Sequence, residues 1–215
     1  MMDEVQKWEA RLKAQETVEL LNGYGFNAVY APTKEDARRI CMDMIPEGSS
    51  ICVGGSVTLK QTGIMDEITS GKYNFYDRFN AGSVAAMHDV YRESYKADFI
   101  VSSSNAVTKE GQLVNIDCVG NRASQIAFGP KKAIVVVGVN KIVDTMEDGI
   151  KRAKSIAPLN SKRIRHKTPC ATEDCCTCSD CTGQPRMCNF IGIVDKCFHF
   201  YKRITVIIVP EILGY

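Results

Sequence analysis

No run in this chain approaches the roughly 18 consecutive apolar residues that a membrane-spanning helix needs. A secretory signal is missing too, because MMDEVQKWEARLKAQ is charged throughout and has no apolar core. Charge of one sign is not in excess: 27 Lys and Arg stand against 25 Asp and Glu, which argues against nucleic acid as the partner. The chain carries no flavin or nicotinamide fingerprint, no internal repeat, and no thioredoxin-like setting for a redox C-x-x-C. These absences predict a cytoplasmic protein with neither membrane insertion nor nucleic-acid binding. In that compartment its ten cysteines are thiols or metal ligands rather than a disulfide framework.

What is present is ordinary globular composition, 45% hydrophobic and 24% charged over 215 residues, enough for one large domain with a small appendage. Residues 3–22 repeat Val5, Trp8, Leu12, Val18 and Leu21 at helical spacing and stop at Gly23 and Gly25. FNAVYA reads as a strand, and Thr33 with Asp36 starts a capped helix that runs to about Met44. SSICVG is a strand, 56–69 a helix interrupted near Gly63, and YNFY a strand. Ser83 to about Lys96 is a helix with Val84, Met87, Val90, Tyr91 and Tyr95 on its apolar side. DFIVSS is a strand, NAVTKEGQLVNID a hairpin, and KKAIVVVGV a buried central strand. Residues 145–157 form a helix ended by Pro158, and RITVIIV is the last strand.

Strands alternating with helices predict an α/β fold, a three-layer α/β/α sandwich on a mostly parallel sheet. Residues 1–167 form this α/β domain, 168–189 a cysteine-rich metal-binding insertion, and 190–215 the return of the chain with its last strand. Arg163, Arg165, His166 and Lys167 read as a solvated basic connector.

In parallel sheets, ligands sit at the carboxyl ends of strands, and three such ends are polar here. Within ICVGGSVTLKQTG, Gly54 and Gly55 permit close approach of backbone to ligand, while Ser56 and Thr58 add hydroxyls at a helix start. That stretch matches neither the triphosphate-loop nor the dinucleotide pattern, and a plain helix cap is the competing explanation. SSSNAVTKEGQLVNIDCVGNR supplies Asn105, Asn115 and Asn121 as paired donors and acceptors, and Arg122 as a fork for carboxylate or phosphate. Asp117 is the acid here placed as a base. VVVGVNK adds Asn140 and Lys141. The set predicts one pocket for a small carboxylate- or phosphate-bearing metabolite, although Asx turns explain any single asparagine equally simply.

PCATEDCCTCSDCTGQPRMC concentrates Cys170, Cys175, Cys176, Cys178, Cys181 and Cys188. Cys178-x-x-Cys181 offers two thiolates from one turn, and Cys170 and Cys188 flank them closely enough to complete four ligands. An iron–sulfur cluster and a zinc ion both satisfy such a set. Cys41, Cys52 and Cys118 fall on helix or strand positions as ordinary buried residues, and Cys197 with His199 is an optional further ligand pair.

VGGSVTL, Asp77–Arg78, ADFIVSSSNAVTKEGQLVNIDCVGNR, FGPKKAIVVVGVNKIV, RAKSIAPLNSKR and the cysteine tail ending RMCN together resemble the lactate-utilization (LUD domain) family from about residue 5 to 215. The resemblance implies a fold related to the sugar-phosphate isomerase and coenzyme A transferase group. It also implies a role in bacterial lactate or organic-acid utilization, beside iron–sulfur and flavin oxidoreductase subunits or further copies of the chain. No catalytic residue transfers from the family. Its tail usually places the first cysteine nearer the central pair, so Cys170, Cys175 and Cys176 all stay open as the ligand that completes the site. A chain of this kind is either an enzyme or enzyme-complex subunit acting on an organic acid, or an accessory scaffold with a structural zinc site.

Overall fold

The computed structural model describes residues 2–183, 185–198 and 200–215. Asp3 opens the first helix, α1 (Glu4–Gly23), with a reciprocal cap: its carboxylate accepts from the Gln6 N–H at 2.8 Å, and its own N–H donates to the Gln6 side chain. Thr33 caps α2 (Lys34–Asp43) by accepting from the Asp36 N–H. Gly63, at φ 73°, separates the two five-residue helices α3 (Val57–Gln61) and α4 (Ile64–Ile68). A positive φ there suits glycine and forces the interruption that the sequence indicated.

Six parallel strands form the main sheet: β1 (Asn27–Tyr30), β2 (Ser50–Val53), β3 (Asn74–Phe75), β4 (Phe99–Ser102), β7 (Lys132–Gly138) and β10 (Ile204–Val209). Their order is β1-β10-β7-β4-β2-β3, which keeps the two most apolar strands, β7 and β10, off the sheet's edges. Alternate residues feed two cores, as the strand's period of two requires. Val135, Val137, Val206 and Ile208 pack with Ala14 and Leu21 of α1 and with Ile126. Val136, Ile207 and Val209 on the other face pack with Cys41 of α2, Leu59 of α3 and Ile68 of α4. Helices on both sides of a parallel sheet make the fold the α/β sandwich expected. No helix among the described residues is long and apolar enough to cross a membrane.

A second sheet was not foreseen. The hairpin strands β5 (Ala106–Thr108) and β6 (Leu113–Asp117) pair with each other, β8 (Ile142–Val143) adds to β5, and β9 (Phe190–Val194) adds antiparallel to β6. Two further expectations need correction. The helix after Thr145 does not stop at Pro158 but continues as α7 (Met146–Arg163), because Ala153, Ala157, Pro158 and Ser161 keep one buried face across the proline. That packing outweighs the single backbone bond that proline removes. Helix α5 (Val84–Glu93) exists, yet none of its residues is buried and Val84 is 71% exposed, so its apolar side is not a core face. The Asn121–Arg122 end of the polar strand-end stretch is helical, opening α6 (Asn121–Ala127).

Helix α7 covers β5 and β6, and the contact leaves no room at Gly149: a Cβ there would stand 2.8 Å from Val114 Cγ2. Alanine would gain about 1 kcal/mol in helix propensity but lose about 1–3 kcal/mol to overpacking. Gly149→Ala is therefore expected to destabilise the protein in urea unfolding. The loss should shrink when Val114 is also truncated to alanine; an unchanged loss in the double variant would count against this contact.

Candidate functional site

The parallel strands bring their carboxyl ends to one edge of the sheet. Gly54–Ser56 follow β2, Arg78 follows β3, Ser103 and Asn105 follow β4, Asn140 and Lys141 follow β7, and residues 210–215 follow β10. Gly54 is a packing necessity, since a Cβ would lie 2.2 Å from Ser102 Oγ and 2.8 Å from Arg122 Cδ. At Gly55 a Cβ would meet Arg78 Nη2 at 3.0 Å and Arg163 Nη2 at 4.0 Å. Arg163, assigned from sequence to a solvated connector, thus reaches the turn after β2 from the end of α7. Ser56 caps α3 by accepting from the Leu59 N–H. At five residues α3 is too short to support the helix-start argument for an anion.

Lys141 is the least ordinary member of the group. It is 5% exposed, and its Nζ donates to Thr58 Oγ1 at 2.8 Å and to Ser103 Oγ at 3.0 Å, both hydroxyls themselves buried. No Asp or Glu pairs with it among the described residues. Burial, aided by the nearby Arg152 and Arg122 charges, pulls its pKa down from 10.5 to about 7. Arg152 spends its guanidinium on the main-chain oxygens of Asn140, Asn105 and Tyr215. Asn140 fastens the last segment, with Oδ1 accepting from the Leu213 N–H at 3.0 Å.

Asp117 and Arg122 are spent on each other. Oδ1 of Asp117 accepts from Arg122 Nε at 2.9 Å and Nη2 at 2.8 Å, while Oδ2 accepts from the backbone N–H groups of Arg122 and Ala123. The rest of the Arg122 fork goes to Ser103 O, Asn105 Oδ1 and Ile116 O. A carboxylate with four donors and a guanidinium with internal acceptors form a structural clamp. The expected base and the expected anion fork are therefore committed to holding β6, β4 and α6 together. Asn105 belongs to the same clamp, whereas Asn115 is 1% exposed with a buried Oδ1 that lacks a hydrogen-bond partner. Asn121 begins α6, half-exposed. Arg78 was legible only as part of a motif. Its position three residues beyond a strand end is the signal that would have placed it beside the Gly54–Gly55 turn.

The cysteine-rich segment has neither helix nor strand among its described residues. Cys170, Cys178, Cys181 and Cys188 line one cavity of about 10 Å³, together with Thr168, Asp180 and Arg186. Burial raises the Cys188 pKa, and the nearby Cys178, Cys170 and Cys181 add to the shift. Cys175 is half-buried and Cys176 exposed, and neither lines the cavity. As the side chains stand, no three His, Cys, Asp or Glu among the described residues are close enough to hold one ion. Arg186 braces the loop, donating to Cys188 O at 3.1 Å, to Cys181 O and to Asp180. Cys41 and Cys52 are buried as expected, with burial pushing both thiols up to about 12. Cys118 is half-buried against Arg186 O, and His199 lies outside the described residues.

No curated protein matches the chain. A solved structure, described as a DUF162 family protein from Deinococcus radiodurans, is similar over 94% of this chain and 98% of its own, with a TM-score of 0.51 and 12% identity. At that identity the likeness speaks for the fold, in agreement with the sheet described above. The LUD domain family model matches residues 14–209, which takes in the main sheet, the polar strand ends and the cysteine loop, and the chain therefore belongs to the LUD domain family.

Proposed function

We propose that this protein binds a small anionic metabolite at the strand-end pocket and serves lactate or organic-acid utilization, as an enzyme or as a subunit of an enzyme complex. The observation that carries this reading is Lys141, a buried cation held by two hydroxyls and with no Asp or Glu paired to it among the described residues. Burying such a charge costs free energy, and an anionic ligand is the group that offsets it. Lys141, Thr58 and Ser103 supply the donors, and the turn at Gly54–Gly55 lets a ligand approach the backbone. With no flavin or nicotinamide motif in the chain, hydride chemistry belongs to a partner subunit. A cytoplasmic setting fits that role.

The donor chemistry of Cys170, Cys178, Cys181 and Cys188 fits a four-thiolate metal centre once the loop draws in. An iron–sulfur cluster there supplies one-electron transfer to such partners. The alternative, an accessory subunit with structural zinc, is favoured by the small cavity, which is about the size of one water or ion. Anaerobic purification with iron, sulfide and zinc analysis decides between them. A brown protein with iron and sulfide supports electron relay, and stoichiometric zinc without colour rejects it. For the pocket, calorimetric titration with L-lactate and with inorganic phosphate should give binding that Lys141→Met removes. If neither anion binds the wild-type protein, the anion-site reading fails.

A further inference from the structure

The strand-end pocket holds more positive charge than one small carboxylate can balance, and the charge falls in two places along one turn. Thr58 brings Lys141 to its end of the turn. At the other end, the Gly55 backbone lies beneath Arg78 Nη2 and Arg163 Nη2. The two ends are three residues apart, so their Cα atoms are separated by about 11 Å at most. Among the described residues no Asp or Glu pairs with Arg78, Arg163 or Lys141, whereas Arg122 close by has its own acid, Asp117.

Arg78 is also aimed. Its guanidinium carbon lies 4.3 Å from the centre of the Phe79 ring and 5.6 Å from that of Tyr91, and Nη1 donates to the Tyr91 hydroxyl at 3.1 Å. Rings and hydroxyl together fix the plane of the fork. What remains is the edge formed by Nε and Nη2, and Nε is buried with no hydrogen-bond partner. Arg122 shows what that edge does elsewhere in this protein, where the same two nitrogens hold one carboxylate oxygen of Asp117 at 2.9 and 2.8 Å. Arg163 adds a second guanidinium, whose Nη2 donates to Asn160 Oδ1 at 3.2 Å; burial lowers its pKa, the Tyr215 charge opposes that shift and the Arg78 charge adds to it. Two like charges held over a glycine repel each other until an anion lies between them.

We infer that the ligand carries two anionic groups, a carboxylate seated at Lys141, Thr58 and Ser103 and a phosphate seated over Gly55 between Arg78 and Arg163. Planar forks suit the oxygens of phosphate, and a point cation with two hydroxyls suits a carboxylate. The substrate class is thus a short phosphorylated carboxylic acid rather than a simple monocarboxylate. This inference rests on the anion-site reading above and narrows it.

Calorimetric titration of the full chain with phosphoglycolate, glycolate and inorganic phosphate tests it. Phosphoglycolate should bind at least about ten-fold tighter than either single-group probe. Arg78→Met or Arg163→Met should bring phosphoglycolate to the glycolate affinity and leave glycolate within about two-fold of wild type. Gly55→Val, which fills the seat without removing a charge, should likewise bring phosphoglycolate down to that variant's own glycolate affinity and guards against a folding defect in the arginine variants. If glycolate binds through Lys141 but phosphoglycolate binds no tighter, the two-group inference is overturned and the anion site stands. Tighter phosphoglycolate binding that all three variants retain also overturns it. If none of the probes binds, both readings fall together.

Discussion

Replacing Lys141 with methionine is expected to make the protein more stable while abolishing anion binding. The side chain is 5% exposed, and among the described residues its hydrogen-bond partners are the Thr58 and Ser103 hydroxyls. Methionine matches the stem in volume and needs no counter-charge, and such swaps of buried charge are often neutral or stabilising by about 1–3 kcal/mol. For a chain of this size that is a rise in Tm of about 2–4 °C per kcal/mol. The pH dependence gives a second reading of the same group. The folded pKa, near 7, lies below the ordinary 10.5, so above pH 7 the unfolded chain holds a proton that the folded one has released. Wild-type stability therefore gains from this group as pH rises from about 7 towards 10.5, by at most about 1.4 kcal/mol per pH unit, and below that window the full penalty applies. The variant lacks this contribution, so the two proteins should converge in stability across the window. Anion binding follows the opposite course, because it needs the protonated amine: wild-type affinity should fall about ten-fold per pH unit above the folded pKa. Urea unfolding and titration at several pH values measure both. A destabilised Lys141→Met protein would mean that the lysine acts as a structural donor.

Much of the main sheet is visible in the sequence for identifiable reasons. β7 and β10 are apolar on both faces because helices cover both sides of a parallel sheet, and runs such as AIVVV and ITVIIV have few other uses. Thr33 and Gly63 mark helix boundaries through a side-chain cap and a positive φ, both local effects. β9 is hard to see because it is a peripheral strand: Phe190, Ile191 and Ile193 stay partly exposed, and no clean alternation results. Pro158 misleads because tertiary packing overrides a local preference. At the candidate site, Lys141 and Thr58 follow from the strand-end rule, and Arg78 obeys it as well. Arg163 does not, since only the three-dimensional course of α7 carries the helix end to Gly55. Asp117 is ambiguous for an instructive reason: an acid beside a glycine turn has the same sequence signature whether it moves protons or caps a helix.

The second large effect separates those two uses. Asp117→Ala is expected to cost about 3–5 kcal/mol, because it leaves the Arg122 charge buried without its acid. The two side chains are only 7% and 11% exposed, and the carboxylate also accepts from the first backbone N–H groups of α6 at 3.0 and 2.6 Å. Asp117→Asn keeps the shape but not the charge, and should lose less. The double variant Asp117→Ala, Arg122→Met removes the stranded cation and should recover part of the loss, a coupling on the order of 1–3 kcal/mol between neighbours in one network. Urea unfolding of the wild type, the single variants Asp117→Ala and Arg122→Met, and the double variant completes the cycle. A residue whose task is proton transfer would behave differently, since its removal would leave stability nearly unchanged and spare the folded protein. The clamp instead ties the end of β6 to Ser103 after β4 and to Asn105, the loop that also seats Lys141 through the Ser103 hydroxyl. Its loss should therefore weaken anion binding in the fraction that remains folded, through displacement of Ser103 rather than through any missing acid or base.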